Sequence, residues 1–202
     1  MHRKLLVLLT LTLGLVSTAQ AQTDTPPPTR EHRSPTTSLL PRGVWLGASL
    51  REDLITPRLK VQWQWTFFQD RKDAFVFLLE GGLGWGLSMP DPVADKPESK
   101  LGSYYEHTGQ VGIGYRNHLP NSLHWGFQVT GGPVFYGAHF DGSPADKNVA
   151  GIIEGRIQIG YQFEKMGVGL AAGYGEPFGL KRRFLGRSYV GGPSLGLFVD
   201  WR

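Results

Sequence analysis

The stretch from Arg58 to Phe67 reads RLKVQWQWTF. Leu59, Val61, Trp63, Trp65 and Phe67 alternate with Lys60, Gln62, Gln64 and Thr66. Successive residues of a strand point to opposite faces, so this stretch is a strand with one apolar and one polar face. The same alternation recurs, and it predicts eight strands at about 43–51, 57–69, 74–88, 103–117, 122–138, 148–164, 167–176 and 189–201.

The later strands share the division. Phe75, Phe77, Leu79, Leu83 and Trp85 oppose Glu80, and Tyr105, Val111, Ile113 and Tyr115 oppose Glu106, Thr108, Gln110 and Arg116. Leu123, Trp125, Phe127, Val129 and Phe135 oppose His124, Gln128 and Thr130. Ile153, Ile157, Ile159, Tyr161 and Phe163 oppose Glu154, Arg156, Gln158 and Gln162. Val168, Leu170, Ala172 and Tyr174 face away from small residues, and Leu195, Leu197, Val199 and Trp201 oppose Ser194, Gly196, Phe198 and Asp200.

The joints between strands support one architecture. Those after the second, fourth and sixth strands are short: Asp70 to Asp73, His118 to Asn121, and Lys165-Met166. Those after the third, fifth and seventh are longer: Met89 to Gly102, His139 to Lys147, and Pro177 to Ser188. The joint after the first, Glu52 to Thr56, falls on the long side but is short. Short turns at one end and long loops at the other, with aromatic residues near both ends of the apolar stripes, predict an all-β, eight-stranded antiparallel up-and-down transmembrane β-barrel.

Two segments precede it. Residues 1–21 have a signal-peptide pattern, with His2, Arg3 and Lys4, an apolar run from Leu5 to Val16, and Ala19-Gln20-Ala21 as the cleavage site. The run is shorter than the roughly 20 residues a membrane-crossing helix needs. Cleavage would leave nineteen basic against seventeen acidic side chains, a formal +2 that points to no particular partner. Residues 22–41, rich in Pro, Thr and charge, are expected to be a flexible periplasmic segment, with the barrel spanning 42–202. The expected destination is the outer membrane of a Gram-negative cell.

A soluble lipocalin-like ligand-binding barrel would use the same alternation inside out. Against it stand a polar face of Gln, Gly and Thr with few charges, large aromatics at the ends of the apolar face, and many polar-face glycines such as Gly82, Gly112 and Gly160. With these features, and the final strand LGLFVDWR, the chain over about 42–202 resembles the small outer-membrane barrels of the OmpA/OmpX type. The last strand also resembles the C-terminal signal read by the barrel-assembly machinery, except that Arg202 follows the aromatic. The resemblance implies a monomer embedded in outer-membrane lipid and lipopolysaccharide.

Eight strands enclose a space that side chains can fill, so no open pore is expected. The expected interior polar network comprises Lys60, Gln62, Gln64, Glu80, Glu106, Gln110, Arg116, Gln128, Glu154, Arg156 and Gln158. In the last long loop Lys181, Arg182, Arg183 and Arg187 form a candidate lipopolysaccharide contact, because guanidinium groups bind phosphate bidentately. The expected role is structural or surface-interacting, with a lipid A-modifying enzyme as the alternative. For that alternative, Ser103 and His107 lie four residues apart with Glu106 on the other face, and His139, Asp141 and Ser143 fall in an expected loop. The first group does not bring nucleophile, base and acid within mutual reach, and the second clusters among turn-forming residues, so no catalytic residue is assigned. The chain has no cysteine and no metal-ligand spacing, phosphate loop or nucleic-acid patch, so no metal, cofactor or nucleic acid is expected.

Overall fold

The fold is described from a computed structural model, over residues 39–70, 72–87, 101–141, 144–179 and 186–201. The expected signal peptide, most of the segment after it, and Lys181 to Arg183 lie outside these residues.

Eight strands follow in order: β1 (Gly43–Arg51), β2 (Leu54–Gln69), β3 (Asp73–Trp85), β4 (Leu101–His118), β5 (Leu123–Phe140), β6 (Asp146–Gln162), β7 (Met166–Phe178) and β8 (Gly192–Trp201). Each pairs antiparallel with the next, and β8 returns to β1, so the sheet closes as an up-and-down barrel. Closure leaves no unpaired edge. At the seam Gly47 faces Gly196, and a Cβ on Gly196 would lie 2.7 Å from the Trp45 ring. Glycine is needed there because the Trp45 indole occupies the space a side chain would take.

Several strands are longer than the sequence suggests. β2 begins at Leu54, not 57, because Glu52 and Asp53 alone make the turn, both with positive φ (47° and 62°). Two successive residues of that kind match the twist of a tight hairpin. β5 extends to Phe140, two residues beyond the expected end, and β3 stops at Trp85, three short of it. β8 starts only at Gly192, because Arg187–Tyr189 form a 3-10 turn and Gly191 and Gly192 have φ near 85°. Before β1, Arg42 donates to Gln62 and accepts from Trp201, while the Leu39 carbonyl accepts from the Trp63 indole.

The two faces of the sheet are sharply different. Ile157 is 68% exposed on the outside, and Arg156 beside it is 5% exposed on the inside. The barrel is therefore apolar outward and charged inward, the reverse of a soluble ligand-binding barrel. Outward aromatics pack across strands at the short-turn end, with Phe75 against Tyr115 (5.1 Å between ring centres) and Tyr115 against Trp125 (5.4 Å).

Candidate functional site

The interior is layered from the short turns to the long loops. At mid-height Lys60 donates to Glu80 (2.9 Å) and Glu154 (2.7 Å). Arg156 reaches the same two carboxylates, directly bonding Glu80 and lying 3.4 Å from Glu154. The register explains the meeting. Lys60 and Glu80 come from adjacent strands, while Glu154 and Arg156, two apart on β6, cross the narrow lumen. Trp45 lies beside both cations, 5.8 Å from Lys60 Nζ and 5.9 Å from the Arg156 guanidinium carbon.

Towards the short turns the glutamines make a chain. Gln64 donates to Gln62 (2.6 Å), Gln62 to Gln128 (3.0 Å) and Gln128 to Gln158 (3.1 Å). Arg116 joins it through Gln64 and pairs with Asp200 at 2.6 Å. Below these, His124 and Phe198 fill the lumen with rings 5.6 Å apart. Towards the long loops Arg58 pairs with Glu106 at 2.5 Å, Tyr104 donates to Glu106, and Thr130 donates to Gln110.

Above that pair the interior turns apolar. Leu54, Tyr104, Val134, Tyr136, Ile152 and Val190 form a buried cluster, with Tyr189 and Phe140 packed against it. Val190, just before β8, is fully buried, so the described residues 186–191 turn into the barrel mouth.

Every named member of the expected network therefore sits inside the barrel, together with groups outside that set, among them Arg58, Asp200, Tyr104 and Trp45. The cations Arg58, Lys60, Arg116 and Arg156 are matched by the anions Glu80, Glu106, Glu154 and Asp200. A buried charge is tolerable only when paired, and these are. The free space beside Trp45, Glu80 and Arg116 is about 20 Å³, room for about one water. Of the expected lipopolysaccharide contact only Arg187 is described. It opens the 3-10 turn and donates to the Pro177 carbonyl at 3.5 Å.

The two Ser/His groups fall differently from their spacing in sequence. His107 packs on Tyr105, with ring centres 5.7 Å apart, and lies between Leu83 and Phe135. Glu106 is committed to the interior. His139 is a strand residue, the direct partner of Ser103 across β4 and β5, and both are exposed. Asp141, exposed, lies in the turn after β5, and Ser143 lies outside the described residues. Sequence spacing alone missed this pairing, because it depends on cross-strand register.

No family model matches the sequence, and no curated protein matches it. Among solved structures, the outer membrane enzyme PagL superposes with a TM-score of 0.52 at 16% identity, over 79% of this chain and 99% of that one. Neisserial surface protein A (NspA) gives 0.49 at 8% identity, over 79% of this chain and 92% of that one. Ail, the attachment invasion locus protein of Yersinia pestis, gives 0.45 at 6% identity, over 79% and 93%. The likeness to PagL is one of fold, and the fold is that of a small eight-stranded outer-membrane barrel.

Proposed function

We propose that this protein is exported to the outer membrane, inserted there as a monomer by the barrel-assembly machinery, and works at its surface and not through its lumen. Its role is structural or surface-interacting. The observation that carries this is the filled interior, in which matched charges block the middle and buried apolar side chains close the long-loop end. Such a lumen has no net charge to draw ions and no continuous space to pass them. The outward stripe of Leu195, Leu197 and Trp201 supports recognition of the last strand during assembly.

Two measurements test this. The full barrel extracted in detergent should shift its gel mobility on heating, as closed membrane barrels do, and should give no conductance above background in a planar bilayer. Conductance steps of a water-filled pore would contradict the sealed lumen. Free solubility without detergent, with no mobility shift, would contradict the membrane location.

Lys181, Arg182, Arg183 and Arg187 supply the proposed lipopolysaccharide contact, through charge-assisted bonds to phosphate. Replacing all four with Gln should weaken binding to lipopolysaccharide vesicles and make it less salt-dependent. Unchanged binding would remove this part of the reading.

A further inference from the structure

At the short-turn end of the barrel a carboxylate stands on the outward face. Asp73 shares the outward parity of Phe75 and Phe77, and it opens β3 opposite Asn117 on β4. The Tyr115 hydroxyl donates to Asp73 Oδ1 at 2.5 Å, and Asn117 Nδ2 donates to the same oxygen at 2.7 Å. Among the described residues no other side chain bonds to Asp73, so Oδ2 keeps its lone pairs for a further donor. The carboxylate is therefore held in place through one oxygen and can still accept through the other. Its backbone is held too. The Asp73 carbonyl accepts from Asp70 N at 2.8 Å, and the Lys72 carbonyl accepts from His118 N at 2.7 Å. Lys72, exposed, sets a positive charge on the residue next to the negative one.

Aromatic rings border these charges. The register shifts between Thr66 and Phe68, so Phe67 is an extra residue and two consecutive rings stay outside, Phe67 65% and Phe68 52% exposed. Bulges re-aim side chains in this way. Both rings pack on Phe75, with centres 6.2 and 5.9 Å away, and Phe75 packs in turn on Tyr115. An ammonium over such ring faces is attracted by their quadrupoles. The strand sets the depth. From Phe75 to Trp85 the outward face of β3 covers ten residues, about 33 Å of strand. At a tilt of about 40° that is about 25 Å of height, the apolar band of such barrels. Asp73 is the next outward position below Phe75. It therefore lies at headgroup depth in the leaflet on the short-turn side, which in such barrels is the periplasmic one.

We propose that Lys72, Asp73 and the rings of Phe75 and Tyr115 seat one phosphatidylethanolamine headgroup of the periplasmic leaflet. This rests on the membrane reading above. The headgroup is a zwitterion, a phosphate and a primary ammonium two carbons apart, and Lys72 and Asp73 are its complement on adjacent residues. The ammonium donates an N–H to Asp73 Oδ2 and lies against the two rings, while Lys72 meets the phosphate. The acyl chains continue upward over Phe77 and Leu79, the next outward positions of β3. A choline headgroup carries the same charges but no N–H, so it satisfies Lys72 and leaves Asp73 Oδ2 without a donor. A glycerol headgroup has no cation and brings a net negative charge beside the carboxylate.

The test uses the full barrel in detergent micelles holding equal amounts of phosphatidylethanolamine, phosphatidylcholine and phosphatidylglycerol with identical acyl chains. Native mass spectrometry reads the lipid retained. One phosphatidylethanolamine should be retained about fivefold more than either other lipid, the scale of one exposed charge pair. Asp73→Asn should bring phosphatidylethanolamine and phosphatidylcholine to equal retention. Lys72→Gln should lower retention of both and leave their ratio unchanged. Each variant should keep the heat-dependent mobility shift, because both side chains lie outside the interior network. With the wild type, stepwise N-methylation of the headgroup should hold retention until the last N–H is lost and then drop it. Wild-type barrel that shifts on heating yet retains phosphatidylethanolamine and phosphatidylcholine equally overturns the seat and leaves the membrane reading standing. So does a preference that Asp73→Asn leaves intact. A wild type that dissolves without detergent and shows no mobility shift would instead remove the membrane reading, and the seat with it.

Discussion

Glu80 is the residue on which the interior turns. It accepts from Lys60, Arg156 and Gln62, so three strands meet at one carboxylate. Glu80→Gln keeps the shape but leaves two cations sharing Glu154. Breaking one partner of a buried pair costs about 3–5 kcal/mol. The variant should undergo its heat-dependent mobility shift at a clearly lower temperature than the wild type. An unchanged temperature would mean the central charges do not hold the barrel. Arg58 and Glu106 give a cleaner comparison, because they pair at 2.5 Å near the long-loop end. Arg58→Met and Glu106→Met alone each strand a buried charge. Combined they strand none, so the double variant should be more stable than either single one. Additive losses on thermal unfolding would contradict this pairing.

At the scale of the strand, the division between faces sets what each position tolerates. Ile113 is 59% exposed on β4, near the middle of the outward apolar stripe. Ile113→Arg should destabilise the barrel by about 2–4 kcal/mol in a bilayer, measured by denaturant unfolding from vesicles. A change within a few tenths of a kcal/mol would show that this face meets water. The strand count and the two faces were legible in sequence, because alternation as in Leu59 to Phe67 survives any neighbour. The apolar cluster at the mouth was not. Phe135 keeps the outward parity of Leu123 to Val129, which turns Val134 and Tyr136 inward, but both are apolar on a face that the other strands mark as polar. Arg58 has the same parity as Lys60, so its interior position was available from the pattern. The Ser103–His139 pairing was not, because it depends on the β4–β5 turn, on the irregularity at Gly102 and on β5 continuing to Phe140.

For the whole molecule, the inverted arrangement is the central feature. A closed sheet satisfies its own backbone, matched charges fill its middle, and its apolar side chains are left outside. Only a surrounding apolar medium makes that arrangement favourable, since strands can cross a bilayer only when closed on themselves. The chain contains no cysteine, so Ile113→Cys carries a single nitroxide label in an otherwise unlabelled protein. With the full barrel in phosphatidylethanolamine vesicles, the label should relax more strongly with oxygen, which concentrates in lipid, than with a water-soluble nickel complex. Stronger relaxation by the nickel complex would place the apolar face in water and contradict the account.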